Sequence, residues 1–330
     1  MKIFLSLCMV AAVAFATLPL SAQPRGILSY CDFCLCSQSS SPLEWSGSGI
    51  RYDVRYTDLS KIYADGERIA NTDAKRETYL TNSLTVNYAP SSTYSITLIA
   101  PYSTKSASGV DEHITNSGIA DVTLLGRYNL LAGVSDACPN EAANEPCCQP
   151  ATRYASIIGG AKLATGGTTF RDPESGELGD ADLQLGTGTT DALIGAEYLL
   201  ATGEWTLSTN ALASIPALGA GANGHTYGRN LNYDVTARYR IFTKSLKNGV
   251  IPTTLVGASL RGEWRAKESE KGELEENSGG NVLYFAPNVQ LFFSRNLAFD
   301  ASCWIPVRHD LAGTQLGEAV KVLAGIQAGF

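Results

Sequence analysis

Cys31, Cys34 and Cys36 form a Cys-x-x-Cys-x-Cys run that crowds three soft ligands into six residues. Three thiolates at this spacing can hold a soft ion such as Cu(I) or Zn(II). A second group, Cys138, Cys147 and Cys148, sits farther along. In an oxidising compartment the same six sulfurs would pair as disulfides, with a connectivity that sequence does not reveal. Metal binding, disulfides and no role at all remain three open readings; apart from that soft metal, no cofactor is expected. Cys303 falls mid-strand beside Phe299, Ala301 and Ile305 and reads as an apolar filler. His113, His225 and His309 each fall in a predicted loop with no recognisable nucleophile nearby, so no enzyme activity is expected. Asp172, Glu174, Glu177, Asp180 and Asp182 offer hard oxygen ligands of the kind Ca²⁺ takes. They lack EF-hand spacing and read instead as a solvated acidic loop. The run Lys267 to Glu276 mixes charges and reads as an exposed loop tip.

The elements that must position these residues begin with a leader. Lys2 precedes a mostly apolar run to Leu20, with small residues before a cleavage point after Ala22 or Ala16, so 1–22 reads as a signal peptide. Removing it takes away one lysine and leaves 24 basic and 32 acidic side chains, a balance that excludes a nucleic-acid partner. No later stretch approaches 18 consecutive apolar residues, so a membrane-spanning form without helices must be a closed barrel. Charged residues are 17% of the chain, with 32 glycines and 15 tyrosines. A water-soluble domain averages about 25% charged, so this composition suits a barrel better.

Twelve segments alternate at period 2: 49–58, 78–89, 92–103, 118–132, 152–163, 190–201, 204–215, 231–243, 251–265, 282–294, 296–307 and 319–330. In the last, Val320, Val322, Ala324, Ile326, Ala328 and Phe330 share one face, against Lys321, Leu323, Gly325, Gln327 and Gly329. Elsewhere Tyr233, Val235, Ala237, Tyr239 and Ile241 oppose Asp234, Thr236, Arg238 and Arg240. The lumen-facing candidates are Arg127, Glu197, Asp234, Arg238, Arg240, Arg261, Glu263, Arg265, Asp300 and Lys321. Such charges tune what passes a pore, or pair with one another and fill a narrow one. The gaps between segments alternate long and short, except at 133–151. Long outer loops and short periplasmic turns produce that alternation. Aromatics near segment ends, among them Tyr79, Tyr88, Tyr94, Tyr128, Tyr154, Trp205, Trp304 and Phe330, read as interfacial girdles, although β-propensity alone also enriches them.

Residues 117–130, S-G-I-A-D-V-T-L-L-G-R-Y-N-L, resemble the phenol meta-cleavage-pathway type of outer-membrane "transporter" proteins. So do Ala164-Thr165-Gly166, Gly179 to Asp182, Leu185 to Asp191 and the final Ala-Gly-Phe. The cysteine run before the first strand looks like a variant seen in related barrels, without the glycine that often follows it. The resemblance implies an outer-membrane barrel that moves small, often hydrophobic molecules. It also implies that Phe330 forms part of the signal read by the barrel-assembly machinery.

The expectation is therefore all-β: a transmembrane antiparallel up-and-down β-barrel of about 12 strands with both termini periplasmic. Residues 1–22 are a signal peptide, 23–48 a cysteine-rich periplasmic segment able to plug the barrel, and 49–330 the barrel in the outer membrane of a Gram-negative cell. Its partners would be outer-membrane lipid, the assembly machinery and an unidentified small molecule that it passes or binds. Two other functions compete: binding or sensing of a soft metal at Cys31, Cys34 and Cys36, and a structural or adhesive surface role for the long loops.

Overall fold

The computed structural model describes residues 47–110, 113–135, 151–242, 245–246, 249–250, 253–294 and 296–330. The leader, the cysteine-rich segment and Cys31, Cys34, Cys36, Cys138, Cys147 and Cys148 lie outside these residues. Twelve long antiparallel staves follow one another around the wall: β1 (Gly49–Ala64), β2 (Arg76–Tyr88), β3 (Tyr94–Ser108), β4 (Thr123–Ser135), β5 (Thr152–Lys162), β6 (Thr189–Thr202), β7 (Trp205–Gly219), β8 (Asn230–Phe242), β9 (Thr253–Arg265), β10 (Gly280–Ser294), β11 (Leu297–Leu311) and β12 (Thr314–Gly329). β12 pairs with β1 from Gly49↔Gly329 to Ala64↔Thr314, and this pairing closes the barrel. The Phe330 N–H adds one more rung, donated to the Ser48 carbonyl at 3.0 Å. Closure leaves no strand edge, which lets a β-wall stand in hydrocarbon.

Period-2 alternation decides the faces. On β12, Val322 and Ile326 are exposed outward while Lys321, Leu323, Gly325 and Gln327 are buried inward. Ile96, Leu124, Ile194, Leu260 and Ile305 continue the outward apolar belt around the wall. The inward face carries Arg127, Asp234, Arg238, Arg261, Asp300 and many Ser and Thr. Apolar outside and polar inside is the inversion that a lipid-embedded barrel requires.

The two ends differ. Both described termini, the turn 89–93, the two-residue turn Gly203–Glu204, the last residue of β4 and the first of β5 lie at one end, here the terminal end. The connections 65–75, 109–122, 163–188, 220–229 and 266–279 lie at the other, the loop end. Tyr88, Tyr94, Tyr128, Trp205, Tyr239, Phe293 and Phe330 are exposed on the outer face near the terminal end. Trp205 and Tyr239 lie with ring centroids 5.0 Å apart. Three aromatics expected in girdles turn inward instead: Trp304 is 1% exposed, and Tyr79 and Tyr154 also share the inward phase of their strands. Cys303 is a free thiol on the outward phase of β11.

The staves are longer than the alternation predicts, mainly at the loop end. β1 runs to Ala64 rather than 58, β3 to Ser108, β7 to Gly219 and β11 to Leu311, and β12 starts at Thr314. There the clean alternation of apolar and polar residues breaks down, as in Leu59-Ser60-Lys61-Ile62-Tyr63-Ala64, while the hydrogen-bond ladder continues. Asp65 and Gly66, with φ of 49° and 84°, form a tight hairpin that folds Glu67–Ile69 back onto β1. β4 is interrupted: His113–Ile119 pairs with the loop-end half of β3, and Thr123–Ser135 with the other half.

Candidate functional site

The lumen is crossed by ion pairs rather than lined by free charges. Near the terminal end the Arg51 guanidinium donates to both oxygens of Asp300 at 2.6 and 3.0 Å, to Asp53 at 2.7 Å and to Gln327 at 3.3 Å. This joins β1 to β11 over the intervening β12. Gly325 makes room for it, since a Cβ there would lie 2.3 Å from an Arg51 nitrogen. Arg127 holds Glu197 through two contacts of 2.9 and 3.0 Å. Arg261 lies 4.6 Å from the Trp304 ring centroid and 3.8 Å from Asp234. Arg238 donates to Asn288 at 2.8 Å. Arg240 sits at the terminal-end rim, 3.8 Å from Glu204 in the turn, and Arg265 is exposed at the loop end of β9. Buried charges of this kind are tolerated only when paired and hydrogen-bonded. Between the pairs on the β3–β7 side, Ile99, Leu125, Leu193 and Leu212 form an apolar inward cluster against Ile158.

Above this layer the loop-end half of the barrel encloses a chamber of about 490 Å³. Lys321 and Glu263 stand at its floor, 2.6 Å apart. The Tyr284 hydroxyl donates to the same Glu263 oxygen at 3.1 Å. Ile99, Pro101 and Leu185 give one apolar wall. The connection 163–188 has two parts: Glu174, Glu177 and Asp180 are exposed, as in a solvated acidic loop, whereas Asp182 and Gln184 to Thr187 fold inward and roof the chamber. Asp121 anchors its two ends, accepting from the Gly166 N–H at 2.9 Å and the Thr187 N–H at 2.8 Å. Gly166 and Gly186 cross so closely that a Cβ on Gly166 would lie 2.6 Å from the Gly186 Cα.

The roof carries a single 3-10 turn, Ala181–Leu183, and four successive carbonyls around it are fixed by donors from elsewhere. Tyr227 donates to Ala181 at 2.7 Å, and Asn116 to Leu183 at 2.9 Å. The Lys105 ammonium donates to Asp182 at 2.8 Å and to Gln184 at 2.6 Å. The turn is thereby bolted to β3, to the upper segment of stave four and to the connection 220–229. Its Asp182 side chain reaches the chamber water while enclosed by the wall. That enclosure, with Glu268 nearby, raises the Asp182 carboxyl above its ordinary range. Enclosure also raises the Tyr227 phenol. His225 contacts Glu268 at 3.0 Å, and this hydrogen bond holds the imidazole above its ordinary value. It also ties connection 220–229 to 266–279, which the Thr226–Ser269 bridge joins as well.

The histidines do not share one setting. His225 is in a connection as expected and His113 begins a short strand, whereas His309 lies inside β11, buried and stacked on Tyr63 at 4.1 Å. Among the described residues no group of three or more His, Cys, Asp or Glu could hold a metal ion. Sequence reasoning missed the chamber's Tyr79, Lys105, Lys162 and Tyr227. Strand phase places Tyr79 and Lys162 inward, and Lys105 too once its strand is extended to Ser108, but no local signal brings the loop residue Tyr227 to the turn at 181–183.

No family model matches the chain, and no curated protein matches it. Solved structures do. An outer membrane channel from Pseudomonas putida F1 superposes with a TM-score of 0.64 at 15% identity, over 89% of this chain and all of that one. The two chains share the closed β-barrel fold. The β domain of the Bordetella autotransporter BrkA (TM-score 0.46, 11% identity, 86% and 100% covered) and the CymD monoaromatic hydrocarbon channel (TM-score 0.35, 8% identity, 88% and 90% covered) superpose too loosely to add to that.

Proposed function

We propose that the chain is an outer-membrane channel that admits a small molecule through the loop end and holds it in the chamber on its way across the membrane. One observation carries this reading: an apolar belt surrounds an enclosed, polar-lined chamber of about 490 Å³, with the Lys321–Glu263 and Arg51–Asp300 layers beneath it. A structural or adhesive wall has no need of a roofed chamber. The short turns and the aromatic girdle at the terminal end support a periplasmic placement of both termini in the outer membrane of a Gram-negative cell. The apolar patch of Ile99, Pro101 and Leu185 suits a ligand with an apolar body. Reconstitution of the full chain in planar bilayers tests the reading, with stepwise conductance and uptake of small solutes as the expected result. A folded, inserted protein that neither conducts nor takes up any small solute overturns it. The cysteine run supports a secondary reading as a soft-metal site, and thiol titration with metal analysis of periplasm-processed protein tests it; fully oxidised, metal-free cysteines would sink it.

A further inference from the structure

We propose that the chamber takes a small organic ammonium compound with an apolar body, with the Asp182 carboxylate as its counter-ion and the Tyr79 and Tyr227 rings as its aromatic walls. The inference rests on the reading of the barrel as a small-molecule channel and names the ligand class of that same chamber.

Three observations converge. First, the chain spends side chains from three elements to hold one turn. Lys105, Asn116 and Tyr227 take all four carbonyls from Ala181 to Gln184, and the turn so fixed presents Asp182 to the cavity. Among the described residues the Asp182 carboxylate makes no hydrogen bond or ion pair of its own. A carboxylate held rigidly over an enclosed cavity is pre-organised for a cation, because the ordering that binding requires is already done.

Second, the lining has an excess of acid. It carries seven carboxylates against five basic groups. Lys162 sits between Asp191 at 2.8 Å and Asp121 at 3.7 Å. Lys321 sits between Glu263 at 2.6 Å and Glu318 at 3.4 Å. Each of these two lysines is flanked by two carboxylates, and Glu318 also lies 3.8 Å from His309, so the acids of the lining are grouped around its lysines. An anion entering here would meet like charge in a low-dielectric wall.

Third, the wall already holds an ammonium. Lys105 Nζ lies 5.3 Å from the Tyr79 ring centroid while it donates to two backbone carbonyls. This is a cation–π setting completed by neutral oxygen acceptors. A ligand ammonium placed between Tyr79, Tyr227 and Asp182 would meet the same kinds of partner, with a full carboxylate in addition. Ile99, Pro101 and Leu185 would receive its apolar body.

The test uses the full chain in planar bilayers and two probes of matched body and opposite permanent charge, benzyltrimethylammonium chloride and sodium benzenesulfonate. Reversal potentials under gradients of each salt give the permeability of the organic ion relative to its counter-ion. The organic cation is expected to permeate several-fold better than the organic anion. D182N should remove most of that several-fold preference, because the enclosed carboxylate that would pair with the cation is then neutral. D172N, a change in the same connection at a side chain that does not line the chamber, should leave it intact. Equal permeation of the two probes, or a D182N preference equal to that of the unaltered chain, overturns the ammonium assignment and leaves the channel reading standing. A folded barrel, verified by heat-modifiable migration, that conducts nothing overturns both.

Discussion

Asp300 shows what a single inward charge does in this wall. Its two oxygens hold Arg51, which is 4% exposed and has Asp53 and Gln327 as its remaining partners. Asp300→Ala leaves a buried guanidinium with half its counter-charge. The expected loss is about 3 kcal/mol of stability, read as a lowered midpoint in urea unfolding from lipid vesicles. Gly325 acts on the same group through space. Gly325→Ala would place a methyl 2.3 Å from Arg51 and 2.4 Å from Asp53, forcing the triad apart. Gly159→Ala meets nothing within 4 Å and serves as the control. The expected result is a lowered unfolding midpoint for Gly325→Ala and an unchanged one for Gly159→Ala; equal midpoints would contradict the packing described. Arg127, Arg238, Arg261, Glu263 and Asp300 could be read as inward from strand phase alone. Their partners could not, because Arg51 and Asp300 are 249 residues apart and meet only when the barrel closes.

The elements that matter most are the connections of the loop end. Lys105→Met would release the carbonyls of Asp182 and Gln184 while keeping the length of the side chain. The roof should then loosen, with larger and noisier single-channel conductance in planar bilayers; an unchanged trace would show that the turn is held without Lys105. The His225–Glu268 contact adds a pH dependence. The folded-state value of His225 is raised above the unfolded value of about 6.5, so its stabilising contribution is complete below that pH and is lost as pH rises through the folded value. Between pH 6 and 9 the backbone amides of 220–229 should therefore exchange with deuterium progressively faster relative to the intrinsic rate. Glu268→Gln should flatten that trend, and a profile parallel to that of the unaltered chain would rule the contact out as its cause. The apolar pattern stops short of the ends of several strands, β1 among them. The Asp65-Gly66 pair, a strong hairpin signal between alternating segments, was the available clue that β1 runs on to Ala64.

At the scale of the whole molecule, closure of β12 on β1 governs behaviour. A closed ladder in detergent resists unfolding until heated, so folded and boiled samples should migrate differently on a gel. Identical migration, together with solubility without detergent, would contradict the barrel. Phe330 adds the last backbone rung at Ser48 and stands 46% exposed in the terminal-end girdle. Deleting it is expected to lower the amount of assembled barrel in the outer membrane several-fold while leaving the conductance of the channels that do assemble unchanged. Normal accumulation would remove the assembly role argued for it.

The sequence by itself determined that the chain is a wall. A period-2 pattern with an apolar face of lipid-facing width, repeated twelve times between long and short gaps, has one economical solution when no helix can span a bilayer. Strand phase also determined which charged side chains face inward, although Tyr79, Tyr154 and Trp304 could still be read as girdle aromatics. Tertiary structure decided everything that needs the circumference. Joining Lys321 to Glu263 requires β12 to stand three staves from β9, and joining Arg51 to Asp300 requires the seam to be shut. Asp182 could be read as one solvated acid among five until Lys105, Asn116 and Tyr227 fixed its turn inside the lumen. A loop carries no periodic signal for the direction in which it folds; that depends on donors far away in sequence, and only the closed barrel brings them within hydrogen-bond reach.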